Sequence, residues 1–169
     1  MEDNQDIHKI NIRTGDEIAF WIKVRVSNIH HFSRRLGAAV DRSIQAFGST
    51  ETTIDSTDAI SDETLRFLLR SCAERRASHT EFKRFDDLSE LAVALWTFEC
   101  KPELFASFAQ DFRTKDPDRG TGTVLEWAFV AFVFGWEDIF EQTTKELIVG
   151  EKDLTIWQSP LAGILDRMY

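Results

Sequence analysis

Residues 7–26 read Ile-His-Lys-Ile-Asn-Ile-Arg-Thr-Gly-Asp-Glu-Ile-Ala-Phe-Trp-Ile-Lys-Val-Arg-Val. Ile10 and Ile12 alternate with polar neighbours before Arg13-Thr14-Gly15-Asp16. Ile18, Phe20, Ile22, Val24 and Val26 then follow at period two. Two alternating runs on either side of a short glycine-containing turn predict a β-hairpin. The second strand is expected to set Ile18, Phe20, Ile22, Val24 and Val26 against a core. Ala19, Trp21, Lys23 and Arg25 would lie on the opposite face, with Trp21 either exposed or covered by a helix.

Beyond the hairpin the period lengthens. Ser27-Asn28 is positioned to cap a helix. Ile29, Phe32, Leu36, Val40, Ile44 and Phe47 recur at helical spacing, with Gly37 a point where the stripe could divide in two and Gly48 its end. Residues 51–55, Glu-Thr-Thr-Ile-Asp, could form a third strand. Ser61 and Thr64 open a helix with Leu65, Leu68 and Leu69. Asp86 or Asp87 caps another, with Leu88, Leu91, Ala92, Leu95 and Trp96. Pro102 opens a segment with Leu104, Phe105, Phe108 and Phe112, since proline suits a first helical turn. Strands first and helices afterwards indicate α+β rather than a parallel α/β sheet.

Residues 125–140 are Leu-Glu-Trp-Ala-Phe-Val-Ala-Phe-Val-Phe-Gly-Trp-Glu-Asp-Ile-Phe. A helix here is apolar on nearly every face, so it must be buried or meet a partner. It falls short of the roughly 20 apolar residues that cross a bilayer. Gly135 breaks it. Ile139, Phe140, Leu147 and Ile148 continue in a further helix, and Pro160 opens a last short one. The chain therefore divides into a disordered acidic tail (1–6), a domain (7–113), a loop (114–123) holding Asp-Pro and two glycines, and a C-terminal helical extension packed on the domain (124–169).

The 169 residues suit one such unit, expected to bury roughly 70% of its unfolded surface. Net charge is -9, so phosphate backbones and anionic membrane surfaces would repel the chain. No nucleic-acid or membrane partner is expected. Cys72 and Cys100 lie far apart in no metal spacing and read as reduced thiols. The first residues lack the basic start and apolar core of a signal peptide, so cytoplasm or nucleus is expected.

Sites of chemistry are sparse. His30 and His31 are adjacent and point apart on a helix, and no paired His or Cys motif occurs, so no metal is expected. No Gly-x-Ser-x-Gly elbow is present. Gly120-Thr121-Gly122-Thr123 lacks the Lys-Ser/Thr ending of a phosphate loop. Neither a cofactor nor a small-molecule ligand is expected. The acidic pairs Asp86-Asp87 and Glu137-Asp138 read as helix-start stabilisers. Arg70, Arg75, Arg76, Lys83 and Arg84 form a basic cluster, either a solvated surface or a site for an acidic partner. Arg75-Arg76-Ala77-Ser78 has the form of a basic-directed phosphosite at Ser78. Trp21, Trp127, Phe134 and Trp136 divide between core and interface, tryptophan being enriched at interaction hot spots.

Several segments resemble fungal BTB/POZ-domain proteins. Residues 86–100, Asp-Asp-Leu-Ser-Glu-Leu-Ala-Val-Ala-Leu-Trp-Thr-Phe-Glu-Cys, are similar to a leucine-alanine helix of that family ending in Asp-Lys-Tyr-Asp-Cys. Trp127, Ala128, Ala131, Phe134-Gly135, Phe140 and Leu147-Ile148 match its Trp…Ala…Phe-Gly…Phe…Leu-Ile stretch. Residues 59–69 and 160–167 resemble its leucine helix and its closing segment, and the hairpin fits its opening strands. The resemblance implies a BTB/POZ-like α+β domain with a small sheet flanked by helices. It implies a non-catalytic protein–protein interaction or oligomerisation module, acting as a homodimer or with another protein. The interface residues expected are Ile10, Trp21, Phe32 and Leu36, joined by Trp127 and Trp136 of the aromatic helix region. One alternative is a substrate-recruiting adaptor of a cullin-type ubiquitin ligase, although residues 47–51 lack the hydrophobic-x-Glu element such members carry. A remoter alternative is an enzyme on a helical scaffold.

Overall fold

The computed structural model describes residues 6–56, 59–77, 84–115 and 122–149. Strands β1 (Ile7–Thr14) and β2 (Glu17–Arg25) lead into helices α1 (Val26–Phe32) and α2 (Arg34–Phe47). Strand β3 (Glu51–Asp55) and helices α3 (Asp62–Glu74) and α4 (Phe85–Thr97) follow. A 3-10 turn (Pro102–Phe105) then leads to α5 (Ala106–Lys115), α6 (Val124–Phe134) and α7 (Glu137–Val149). The fold is α+β: one three-stranded sheet and, among the described residues, seven α-helices.

The sheet order is β2-β1-β3, with β1 antiparallel to β2 and parallel to β3. The parallel return from β1 to β3 is made possible by β2, α1 and α2, which carry the chain back to the starting end of the sheet. Ile10, Ile12 and Val24 point into the core, each at most 2% exposed. On the outer face, Lys9 pairs with Glu51 (3.2 Å) and Arg13 with Asp55 (2.6 Å), tying the parallel pair together.

The hairpin departs from strict alternation at one point. The register steps from Ile12↔Phe20 to Arg13↔Ile18, leaving Ala19 as the extra residue of a bulge. Ile18 therefore shares the face of Arg13 and is exposed, not set on the core side. Val26 belongs to α1, because β2 runs into that helix without a loop. Ser27 accordingly lies inside the helix rather than capping it. Its hydroxyl donates to Asp6 (3.0 Å), and Asn28 donates to the Ala73 carbonyl (3.2 Å). Asp6 is thus held against α1, whereas residues 1–5 of the acidic tail lie outside the described residues.

The stripe from Ile29 to Phe47 does form two helices, but they part at Ser33 and not at Gly37. Ser33 is extended (φ −138°, ψ 122°). Its hydroxyl accepts from the Leu36 amide (3.0 Å) as an N-cap and donates to the Phe98 carbonyl (2.5 Å). Gly37 stays helical for a different reason: a Cβ there would come within 2.7 Å of His30 Nδ1. The absent side chain lets α1 fold closely back on α2.

Ser61 caps α3 by accepting from the Thr64 amide (3.2 Å), as its sequence suggests. Helix α4 begins one residue before the acidic pair. Asp87 acts from within the first turn, accepting from the Arg84 amide (2.8 Å). Leu88, Leu91, Ala92, Val93, Ala94 and Leu95 are buried, making α4 the central helix. Thr123 and Glu126 form a reciprocal capping box on α6. Gly135 closes that helix at φ 68°, a left-handed turn that glycine enters without a Cβ penalty.

Candidate interaction surfaces

Five of the six residues expected at an interface are interior. Ile10 is on the central strand, flanked on both sides by other strands. Phe32 packs on Phe105 with ring centroids 5.8 Å apart, and Phe105 in turn meets Phe67 at 5.5 Å. This aromatic stack joins α1, α3 and the 3-10 turn, so Phe32 serves the core. Leu36 is buried in the first turn of α2. Trp127 is 2% exposed and Trp136 7%. Trp136 stacks on Phe134 at 5.6 Å, and the Arg113 guanidinium sits 5.8 Å from its ring, anchored by Asp138. These five are corrected to core positions. Apolar residues at helical and strand period marked buried faces, and the expectation of an interface misread that burial as association.

Trp21 is the exception, at 57% exposed on the outer sheet face, with Lys9 Nζ 5.4 Å from its ring centroid. It lies opposite Asn11 in the register, and Ile7 and Ile18 are exposed elsewhere on the hairpin.

A second surface was not singled out from sequence. Trp96 at the end of α4 meets Phe132 of α6 (5.5 Å between centroids) and, edge-on, Phe129 (6.5 Å). Phe132 meets Phe140 of α7 at 5.9 Å. Trp96, Phe132 and Phe140 are 40%, 49% and 38% exposed, so three helices contribute one contiguous aromatic surface. The signal existed: α6 is apolar all round, and Trp127, Ala128, Val130 and Ala131 use up its inward side. Phe132 is left facing out, at an angle that periodicity alone could not assign.

A third feature lies between α1, the end of α3 and the 3-10 turn. It is a cavity of about 400 Å³ floored by Phe32, Cys72 and Leu104. Asn28, His31, Arg75, Lys101 and Glu103 form its rim. The Lys101 amide donates to the Phe32 carbonyl (2.9 Å), which fixes the rim against α1. Of the basic cluster expected from sequence, Arg75 lines this cavity, Arg84 pairs with Asp86, and Lys83 lies outside the described residues. Ser78 lies outside them as well, as does the helix expected from Pro160.

The titratable interior is small. His8 is buried on the core face, with Nε2 2.8 Å from Thr52 Oγ1. Burial lowers its pKa below the ordinary value of about 6.5, and the Glu51 carboxylate only partly opposes that. Cys72 and Cys100 are free thiols. Burial pushes Cys72 up to about 12, and Cys100 is raised further by the same cause. Neither is a thiolate near neutral pH, the form that attacks or binds metals. Among the described residues no three His, Cys, Asp or Glu side chains converge to hold a metal ion, and no helix is long and apolar enough to cross a membrane.

No family model matches the chain, and no curated protein matches its sequence.

Proposed function

We propose that this chain is a non-catalytic protein–protein interaction and oligomerisation module of BTB/POZ type, two copies of which associate through the aromatic face of α4, α6 and α7. The observation that carries the reading is the Trp96–Phe132–Phe140 surface. Three large rings in contact, each more than a third exposed, leave apolar area that a solvated monomer gains by covering. A two-fold dimer covers the same patch on both copies at once. The segment resemblances support the family, and the small sheet with its helices is of the expected class. The free thiols of Cys72 and Cys100 support a reducing compartment, and cytoplasm or nucleus is the proposed location.

The test is absolute mass by light scattering on a sizing column, over a tenfold dilution. The reading expects twice the 19.5 kDa of the chain. A monomer throughout overturns self-association.

A further inference from the structure

The cavity between α1, α3 and the 3-10 turn inverts the charge of the chain around it. The protein carries -9 overall, yet this rim has the cations Arg75 and Lys101 against Glu103 alone. Among the described residues neither Arg75 nor Lys101 has an ion-pair partner. Arg75 also closes α3 at φ 56°, a left-handed cap that glycine occupies far more easily. A long cationic side chain kept in a costly backbone conformation points to a use for that side chain. With the apolar floor of Phe32 and Leu104, the cavity suits an acidic group on a chain with some apolar surface. Its volume falls within the roughly 300–1,000 Å³ of ligand sites.

The nearest source of acidic groups is in the chain itself. Asp6 is held by Ser27, and Ser27 lies one helical turn before His31 on the same side of α1. Residues one turn apart are about 6 Å apart. Residues 1–5, Met-Glu-Asp-Asn-Gln, continue from Asp6 and span about 17 Å when extended. Glu2 and Asp3 lie within four residues of Asp6, at most about 14 Å of extended chain, and are the two carboxylates of that segment.

We propose that this cavity is a binding site for short acidic peptide segments, and that Glu2 and Asp3 of the same chain occupy it. The cavity shares no lining residue with the aromatic face, so the proposal does not depend on self-association. An acidic segment of another protein enters only by displacing residues 2 and 3.

Zero-length carbodiimide cross-linking of the full chain, read by peptide mass spectrometry, tests this. The Lys9–Glu51 pair serves as an internal control for both reaction and fold. The expected result is a cross-link from Glu2 or Asp3 to Lys101, reduced at least tenfold in Arg75→Gln while the control link persists. Free peptide Met-Glu-Asp-Asn-Gln-Asp at millimolar concentration should suppress the link, and Met-Gln-Asn-Asn-Gln-Asn should not. Absence of the Lys101 link beside an intact control overturns the proposal. So does a link indifferent to Arg75→Gln or to the acidic peptide. In a mixture of isotopically light and heavy chains the link should join like with like. A mixed product would assign the occupant to a second copy and overturn occupancy by the chain's own residues.

Discussion

The ring of Phe85 stacks on the indole of Trp127, centroids 4.3 Å apart and planes 25° apart, joining the first turn of α4 to the first turn of α6. Gly122 backs the same ring: a Cβ on it would overlap Phe85, and its φ of 89° is one that other residues rarely adopt. Trp127→Ala should therefore cost about 3–5 kcal/mol and lower the thermal midpoint by about 10 °C or more. Trp127→Asp should leave the chain unfolded by circular dichroism, since a buried unpaired charge adds several kcal/mol. Gly122→Ala should destabilise by more than about 1 kcal/mol, through both the clash and the backbone. A cooperative melt at the wild-type temperature in any of the three would contradict this packing.

Ser33 bears two loads with one hydroxyl, capping α2 through Leu36 and satisfying the Phe98 carbonyl. Ser33→Ala removes both and leaves a buried carbonyl without its donor. The expected loss is about 1–2 kcal/mol, measured by denaturant midpoint. Amide hydrogen exchange should quicken at Leu36 and its neighbours. Thr keeps the hydroxyl, so Ser33→Thr should recover most of the loss.

The class of fold was legible because its signals are local. Period two around Gly15, period 3.6 afterwards, and Gly48 and Gly135 as stops each depend on a few adjacent residues. What escaped the sequence depends on distant partners. The break at Ser33 is made by Phe98 and Cys100, which pair with it from far along the chain. The bulge at Ala19 is a property of how β2 meets β1. Helix α6 shows most plainly why the surface was missed. Its composition says that something must cover every side, but only the position of α4 decides that Trp127 is inside and Phe132 outside.

His8 makes stability depend on pH in a definite window. Its folded pKa lies below the unfolded value of about 6.5, with burial the cause. Between the two values the unfolded chain binds more protons than the folded one, so stability rises with pH there. The contribution is complete above about pH 6.5 and is lost as pH falls through the folded pKa. Urea midpoints should therefore drop between about pH 7.5 and about pH 5. His8→Gln, which keeps a polar group facing Thr52 but does not titrate, should flatten that slope. Glu51 and Asp55, whose pKa values are lowered chiefly by hydrogen bonds from Asn11 and Lys9 and from Arg13, act only below the ordinary carboxylate range. An unchanged slope in His8→Gln would show that the window belongs to another group.

Phe132 separates association from folding, because it is half exposed while its helix neighbours Trp127 and Ala131 are buried. A glutamate in its place can keep its carboxylate in water, so Phe132→Glu should hold the thermal midpoint to within a few degrees. If copies join through the aromatic face, a two-fold arrangement brings the introduced carboxylates of both copies into one interface. Like charges there should shift the light-scattering mass to that of a monomer. Trp21→Glu is the matched control: Trp21 is more exposed still but lies on the outer sheet face, so its mass should remain that of the wild type. The reverse pattern, a monomer from Trp21→Glu and a dimer from Phe132→Glu, would move the interface to the sheet.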